Sequence, residues 1–412
     1  MSRNADQHLS PPKVADGESY IHASVYTDPE LFAEEEEKVL RRTWKFVCHI
    51  SEVEKAGDYR THQWTGVPLV TIRGNDDKIR TFVNTCSHRG AKIVRDVAGN
   101  MKHMTCFFHM WEYDLEGNCT YQPREEGYEE LGPAKDDLSL REIRTDIFAG
   151  LVFINFDGNA ESLRDYIGEA GDPFEEIFNN HELEVFHYNQ THVKGNWKAW
   201  YLTNCDLYHE WSHLVNRTTS VLTKGYHDRP WRVQPNGHGY NAHHLDGSPF
   251  QVNYKKYKSW NNRDDLVFDG LAPGEFRVTD IFPNLSVFFR ATCIRLNHST
   301  PIAPGHCIME ERGLAIKGES KEDRRIRSKQ FVQIWGPFSR NASEDCAYVE
   351  ATHACQEAGA NPYDLMSRVE KFEDGIHERI HSDTYLRHFY SEWSRLMGRP
   401  ANNPKNFMVA AE

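Results

Sequence analysis

Two cysteines and two histidines in this chain alternate in type along the sequence: Cys86-x-His88 in NTCSHRG and Cys106-x-x-His109 in MTCFFHMW, with 17 residues between the pairs. Each pair offers one thiolate and one imidazole. Two loops closing on a cluster from opposite sides would give two thiolates to one iron and two imidazoles to the other, the ligand set of a Rieske-type 2Fe–2S centre. Neutral imidazoles raise the reduction potential above that of an all-cysteine cluster, which suits an acceptor of electrons. A tetrahedral zinc site accepts the same four residues. Zinc frameworks, however, favour Cys-x-x-Cys knuckles or paired histidines on a helix. The interleaved order here, followed by Arg89-Gly90 and by Trp111, points to the iron–sulfur cluster.

A second set lies in TNCDLYHEWSHL, where Asp206, His209 and His213 stand at i, i+3 and i+7. On a helix that spacing places all three on one face. Two histidines and one carboxylate on one side of an iron leave the other positions open, as in non-haem Fe(II) oxygenases. Asp206 is a candidate for the carboxylate by proximity, and Asp345 in SEDCAY is a distant one. The same letters contain a rival, since His209-Glu210-Trp211-Ser212-His213 matches the His-Glu-x-x-His motif of zinc peptidases, with Glu210 as general base. A zinc hydrolase has no use for a cluster in the same chain. A purely electron-carrying protein would use the cluster but leave the second set without a role. No Gly-x-Gly-x-x-Gly fingerprint follows a strand, so NAD(P)H is expected to act only indirectly, with electrons arriving from another protein.

The elements that must hold these residues change character along the chain. Residues 29–43, PELFAEEEEKVLRRT, read as a helix with acid early and base late. From Trp44 to about Phe156, short runs rich in Val, Ile, Thr and aromatics, punctuated by Gly, Asn and Asp, indicate a small all-β unit. After Asp157 come helical signals around SLRDYIGEAGDPFEEIFNN and NWKAWYLTNCDLYHEWSHLVN, strand signals around FRVTDIFPNLSVFFRATCIRL, and a helical region from about Glu322. The expected division is therefore 1–42 as an N-terminal segment packing with the catalytic part, 43–157 as the cluster domain, and 158–412 as an α+β catalytic domain. The helix face beside the second set offers Asn204, Leu207 and Leu214 as pocket candidates, and the later strands offer Phe282, Val287 and Phe289.

Bulk composition narrows the function classes. The 412 residues are 39% hydrophobic and 26% charged, ordinary for a folded globular protein. A net charge of −13 argues against nucleic acid or an anionic membrane as partner. No apolar run approaches the roughly 20 residues that span a bilayer, and the start lacks the basic and apolar regions of a secretory signal, so the expected location is cytoplasmic. Nine cysteines without an export signal suggest ligation or burial rather than disulfides, with Cys48, Cys119, Cys293, Cys307, Cys346 and Cys355 expected as small buried hydrophobes.

On the segments NTCSHRGAKIV, TCFFHMWEYDLEG, GNWKAWYLTNCDLYH, FPNLS and WGPFSRNASEDCAY, the sequence resembles the catalytic α subunits of Rieske non-haem iron aromatic-ring hydroxylating oxygenases, from about Val25 to Gln356. The resemblance implies that His209, His213 and Asp345 ligate the iron. It also implies that Asp206 is a bridging acid linking His109 of one subunit to His209 of the next within a head-to-tail homotrimer, with or without a small β subunit. It implies a helix-grip catalytic domain with the Rieske domain inserted near its N-terminus, a reductase or ferredoxin as electron donor, and O2 as co-substrate. The implied substrate is a small aromatic compound, with an aromatic carboxylate becoming a cis-dihydrodiol preferred over monooxygenation or O- or N-demethylation. The chain departs from the family pattern in three places. Three residues rather than four separate the ligand histidines; Leu202 stands where Asn is common, with Asn204 offset; and Phe107 and Met110 replace the usual Pro and Gly of the second Rieske loop.

Overall fold

The computed structural model describes residues 10–219, 224–252, 266–290 and 292–406. The chain divides into two compact units, residues 41–164 and residues 1–40 with 165–412. Together they make an α+β protein in which an all-β unit interrupts the chain early.

The smaller unit is a seven-stranded antiparallel sheet with Asp58–Trp64, Val67–Arg73 and Ile79–Val83 as neighbours and Lys45–His49 and Ala98–Asn100 at its edges. A three-stranded sheet of Met104–Thr105, Glu112–Tyr113 and Cys119–Tyr121 completes it. The first cysteine loop follows strand Ile79–Val83, and the second joins Met104–Thr105 to Glu112–Tyr113. Val70, Ile72, Phe82, Met104 and Trp111 form its core together with Cys86 and Cys106, so each loop is held at its cysteine by apolar packing. Burying a large side chain of this kind contributes roughly 1.5–3 kcal/mol.

The larger unit is built on a second seven-stranded antiparallel sheet, in the order Leu183–Val193, His306–Ile316, Cys293–Ala303, Leu285–Arg290, Phe276–Ile281, His238–Asn241, Arg232–Gln234. Helices Trp197–Thr203 and Lys321–Trp335 pack on strands Cys293–Ala303 and His306–Ile316. Helix Ala342–Glu357 packs in turn on Trp197–Thr203. The N-terminal segment joins this unit through strand Tyr20–His22, which pairs with Tyr363–Leu365. Its helix Pro29–Glu35 continues as a π-helical turn to Leu40, a little short of the expected end. The buried Glu35 carboxylate there accepts from Lys198 Nζ at 2.7 and 2.9 Å, from Trp197 Nε1 at 2.8 Å and from Trp393 Nε1 at 2.5 Å. Removing one partner of such a buried pair typically costs about 3–5 kcal/mol. That clamp ties the N-terminal helix to Trp197–Thr203 and to the C-terminal helix Thr384–Met397, an element absent from the sequence reading.

Two sequence expectations need correction. The single helix through NWKAWYLTNCDLYHEWSHLVN is broken: it ends at Thr203, a 3-10 turn covers Leu207–Trp211, and a new helix starts at Leu214. Asp206 accepts from Tyr208 N and so starts the turn, the usual preference of a short acidic side chain at a helix boundary. Of the cysteines expected to be buried, Cys355 is exposed and Cys346 only partly covered. No helix among the described residues is long and apolar enough to cross a membrane.

Candidate metal centres

The two cysteine loops have the same backbone construction. In the first, Gly90 N donates to Cys86 O at 2.9 Å and Cys86 N to Ala91 O; in the second, Met110 N donates to Cys106 O at 2.9 Å and Cys106 N to Trp111 O. Both turns need a left-handed residue four positions after the cysteine: Gly90 at φ 75° and Met110 at φ 60°. Glycine adopts that conformation without strain, whereas a residue with a Cβ is disfavoured there by roughly 1–2 kcal/mol.

These loops bring the four expected residues together. His88 and His109 rings meet edge to face at 4.5 Å, and His88 stacks on Trp111 at 4.8 Å. His88 Nδ1 is buried and makes no hydrogen bond. A buried polar atom without a partner is costly, and a buried imidazole nitrogen left unpaired two residues from the buried Cys86 is suited to a metal. Burial pushes the Cys86 thiol up, the Tyr113 hydroxyl at 3.3 Å pulls it down, and Cys106 pushes it up again. Tyr113 also accepts from Ser87 N at 3.0 Å, which ties the hydroxyl to the loop. The ligand set, its burial and the orphaned nitrogen fit a 2Fe–2S cluster.

In the larger unit, ligand atoms of His209, His213 and Asp345 lie within 4.8 Å of one another. Asp345 Oδ1 is 3.2 Å from His209 Nε2 and 3.4 Å from His213 Nε2, yet it is buried and completes no hydrogen bond with either. Each imidazole is held by its other nitrogen. His209 Nδ1 donates to the Asp206 carbonyl, and His213 Nδ1 donates to Glu344 Oε2 at 2.7 Å. Fixing Nδ1–H in this way presents the Nε2 lone pairs to a common point, the arrangement by which a metal-binding histidine is oriented. Burial alone would lower the His209 pKa, but the Asp345 carboxylate outweighs it and the ring is pushed up to about 9. Three converging donors with a buried, unsatisfied carboxylate oxygen fit a single divalent iron.

Asp206 stands outside this convergence, with its side chain in the wall of an open cavity of about 760 Å³ that also reaches His209, Tyr348, Arg368 and Asp383. The peptidase motif does not hold as a helix face, because Glu210 lies in the 3-10 turn and its carboxylate takes a hydrogen bond from the Tyr226 hydroxyl. The six pocket candidates separate. Asn204 is buried and donates to Asn297 Oδ1 at 2.9 Å; Leu207 is buried; Leu214 is 58% exposed. The register pairs Ser286 with Asn297 and Phe288 with Arg295, so Phe288 shares the Asn297 face while Val287 and Phe289 turn to the other, where Phe289 meets Phe178. Phe282 packs on Phe389. The run LSVFF is apolar at nearly every position, so its alternation was unreadable from the sequence. Glu344 was missed as well, although its place beside Asp345 in SEDCAY was a usable signal.

Comparison with known proteins agrees with both centres. The Rieske 2Fe-2S domain profile matches residues 43–133, and the profile of the ring hydroxylating alpha subunit catalytic domain matches residues 180–399. The chain belongs to the ring-hydroxylating α subunits. It is a Rieske non-haem iron oxygenase, with a 2Fe–2S cluster and a mononuclear iron as its cofactors. Among Rieske oxygenases it is 42% identical to 2-aminobenzenesulfonate 2,3-dioxygenase subunit alpha of Alcaligenes sp., over 98% of this chain and 99% of that one. It is 35% identical to methanesulfonate monooxygenase hydroxylase subunit alpha of Methylosulfonomonas methylovora, over 98% and 97%. The fold matches naphthalene 1,2-dioxygenase from Rhodococcus sp. at a TM-score of 0.78 and 20% identity, covering 92% and 94% of the two chains.

Proposed function

We propose that this α subunit hydroxylates a small organic sulfonate, with an aromatic sulfonate cis-dihydroxylated as the leading case. The observation that carries the reading is the pair of chain-long relatives. One name has a ring and dioxygenation, the other has neither, and what they share is the sulfonate. The aromatic carboxylate expected from sequence keeps the ring and exchanges the acid. The reaction balances as arene, O2, two electrons and two protons giving one cis-dihydrodiol. A separate reductase or ferredoxin supplies the electrons.

Cys86, His88, Cys106 and His109 would hold the cluster, and His209, His213 and Asp345 the iron. When bound, these groups deliver electrons and activate dioxygen. The protein's own part is positional. Asp206 O and Glu344 hold the Nδ1 protons so that both imidazoles stay aimed. Asp206 acts as the bridging acid, its carboxylate accepting from His109 of a second copy in a head-to-tail trimer. Two features support this: the open cavity on which Asp206 stands, and the exposure of Phe107, Phe108 and Met110 beside His109, each more than half accessible.

The test is an assay of the iron-loaded protein with a reductase and NADH on benzenesulfonate, benzoate and methanesulfonate in parallel under ¹⁸O2. Two labelled oxygens in the product of benzenesulfonate support the reading. One labelled oxygen from methanesulfonate makes it a monooxygenase of sulfonates, and product from benzoate alone overturns it.

A further inference from the structure

The segment that joins the two cysteine loops has the opposite charge to the rest of the chain. Against a net charge of −13, residues 86–110 hold Arg89, Lys92, Arg95 and Lys102 and a single acid, Asp96. All four cations are exposed. Among the described residues Arg89, Lys92 and Lys102 have no ion-pair partner, and the Arg95 guanidinium lies 4.6 Å over the Phe107 ring. Arg95 lines a cavity of about 560 Å³ in the smaller unit, and Lys92 and Lys102 are chain neighbours of residues that line it. The apolar lining, Tyr59, Ile93, Val94 and Met104, belongs to the same core that buries Cys86 and Cys106. The loop tips at 87–90 and 107–110, with His88 and His109, lie outside that lining.

We propose that this cavity and the cations around it are the docking surface for the electron donor, and that the donor is an acidic one-electron carrier protein. The inference rests on the reading above of a cluster fed by a separate protein, and adds the surface and the charge of that partner. Exposed like charges without counter-charges repel one another and hold a positive local potential. An acidic surface brought over them relieves the repulsion and speeds the encounter. The place also suits the direction of electron flow. Cys86 is 3% and Cys106 1% exposed, whereas His88 and His109 are only partly buried. A donor seated on the cavity approaches the cluster's thiolate side, across the core side chains that bury both cysteines, with Met104 two residues before Cys106. The imidazole side stays free for Asp206 of a second copy. Each encounter moves one electron: the donor is oxidised, the cluster is reduced, and no bond forms or breaks.

The experiment mixes oxidised holoenzyme anaerobically with flavodoxin hydroquinone, an acidic one-electron donor, and follows the rise of its semiquinone by stopped flow. The second-order rate constant should fall by about 10-fold or more from low to high salt. At low salt the double variant Lys92→Glu/Lys102→Glu should lower it by about 10-fold or more and flatten the salt dependence, while dithionite still bleaches the cluster completely. Lys321→Glu/Lys329→Glu makes the same charge change at two exposed positions of the larger unit and should stay within about 2-fold of wild type. An equal loss in that control pair would assign the effect to net charge and overturn the proposal, as would a rate indifferent to both salt and the Lys92 and Lys102 changes. An assembly that dissociates when Lys92 and Lys102 are changed would make the surface a contact between copies and overturn it too. A wild-type protein that dithionite itself fails to bleach would remove the cluster reading instead.

Discussion

Glu344 holds the imidazole of a proposed iron ligand without belonging to the proposed triad itself. Its carboxylate accepts from His213 Nδ1 at 2.7 Å and from Leu214 N at 3.4 Å, so it fixes both the ring and the chain behind it. Removing the charge while keeping the shape should loosen the imidazole. We expect Glu344→Gln to weaken iron retention about 10–100-fold, the range for losing a partner of a ligating histidine. Iron per chain after dialysis against a mild chelator measures it, with the cluster's visible spectrum as internal control; unchanged retention would deny Glu344 this role. Met110 offers a second test. It holds a left-handed conformation that its counterpart Gly90 adopts freely. Met110→Gly should therefore stabilise the second loop, by up to about 1 kcal/mol after the extra freedom of the unfolded chain is counted. Calorimetry of the two forms would show a higher Tm, and a lower one would mean that the Met110 side chain is itself held by its surroundings.

Between elements, His238 joins three pieces of the larger unit. Its Nε2 donates to Tyr166 O at 2.8 Å, its Nδ1 accepts from Phe282 N at 2.9 Å, and the Tyr166 hydroxyl donates to Phe282 O at 2.7 Å. Only the neutral ring can make this set, because a proton on Nδ1 would face the Phe282 N–H. Burial accordingly lowers its pKa from the ordinary 6.5 to about 4. The unfolded chain then binds a proton between pH 6.5 and 4 that the folded chain refuses, so this contribution is intact above pH 6.5 and is lost as pH falls toward 4. Urea midpoints at pH 7 and pH 5 should differ in that direction, with less difference in His238→Gln. Ring ¹⁵N shifts that reported a charged His238 at pH 5 would contradict the account.

At the scale of the whole molecule, the four residues proposed for the cluster lie in residues 41–164 and the proposed iron triad lies in the other compact unit. Loading of the two should therefore be separable. His209→Ala should lower the iron content from three per chain to two while the broad visible absorption that bleaches with dithionite persists and turnover stops. Loss of the cluster as well would show that the units do not load independently. The chain-long similarity to sulfonate-named relatives, set beside a fold shared with naphthalene dioxygenase at 20% identity, shows how one scaffold serves several substrates.

What the sequence determined alone was local. Cys86-x-His88 and Cys106-x-x-His109 announced a cluster because each pair sits in one turn, where chain proximity already sets the geometry. The change from short apolar runs to longer helical patterns separated the all-β unit from the α+β unit for the same reason. The tertiary structure decided everything that depends on distant residues or on facing. It brought Asp345 from helix Ala342–Glu357 to His209 and His213, although Asp206 was nearer in the chain. It broke the expected helix into a 3-10 turn, so the histidines converge through hydrogen bonds, His209 to the nearby Asp206 carbonyl and His213 to the distant Glu344, rather than through helical period. It also decided which way Val287, Phe288 and Phe289 face, because a strand buried on both faces carries no polar alternation from which its register could be read.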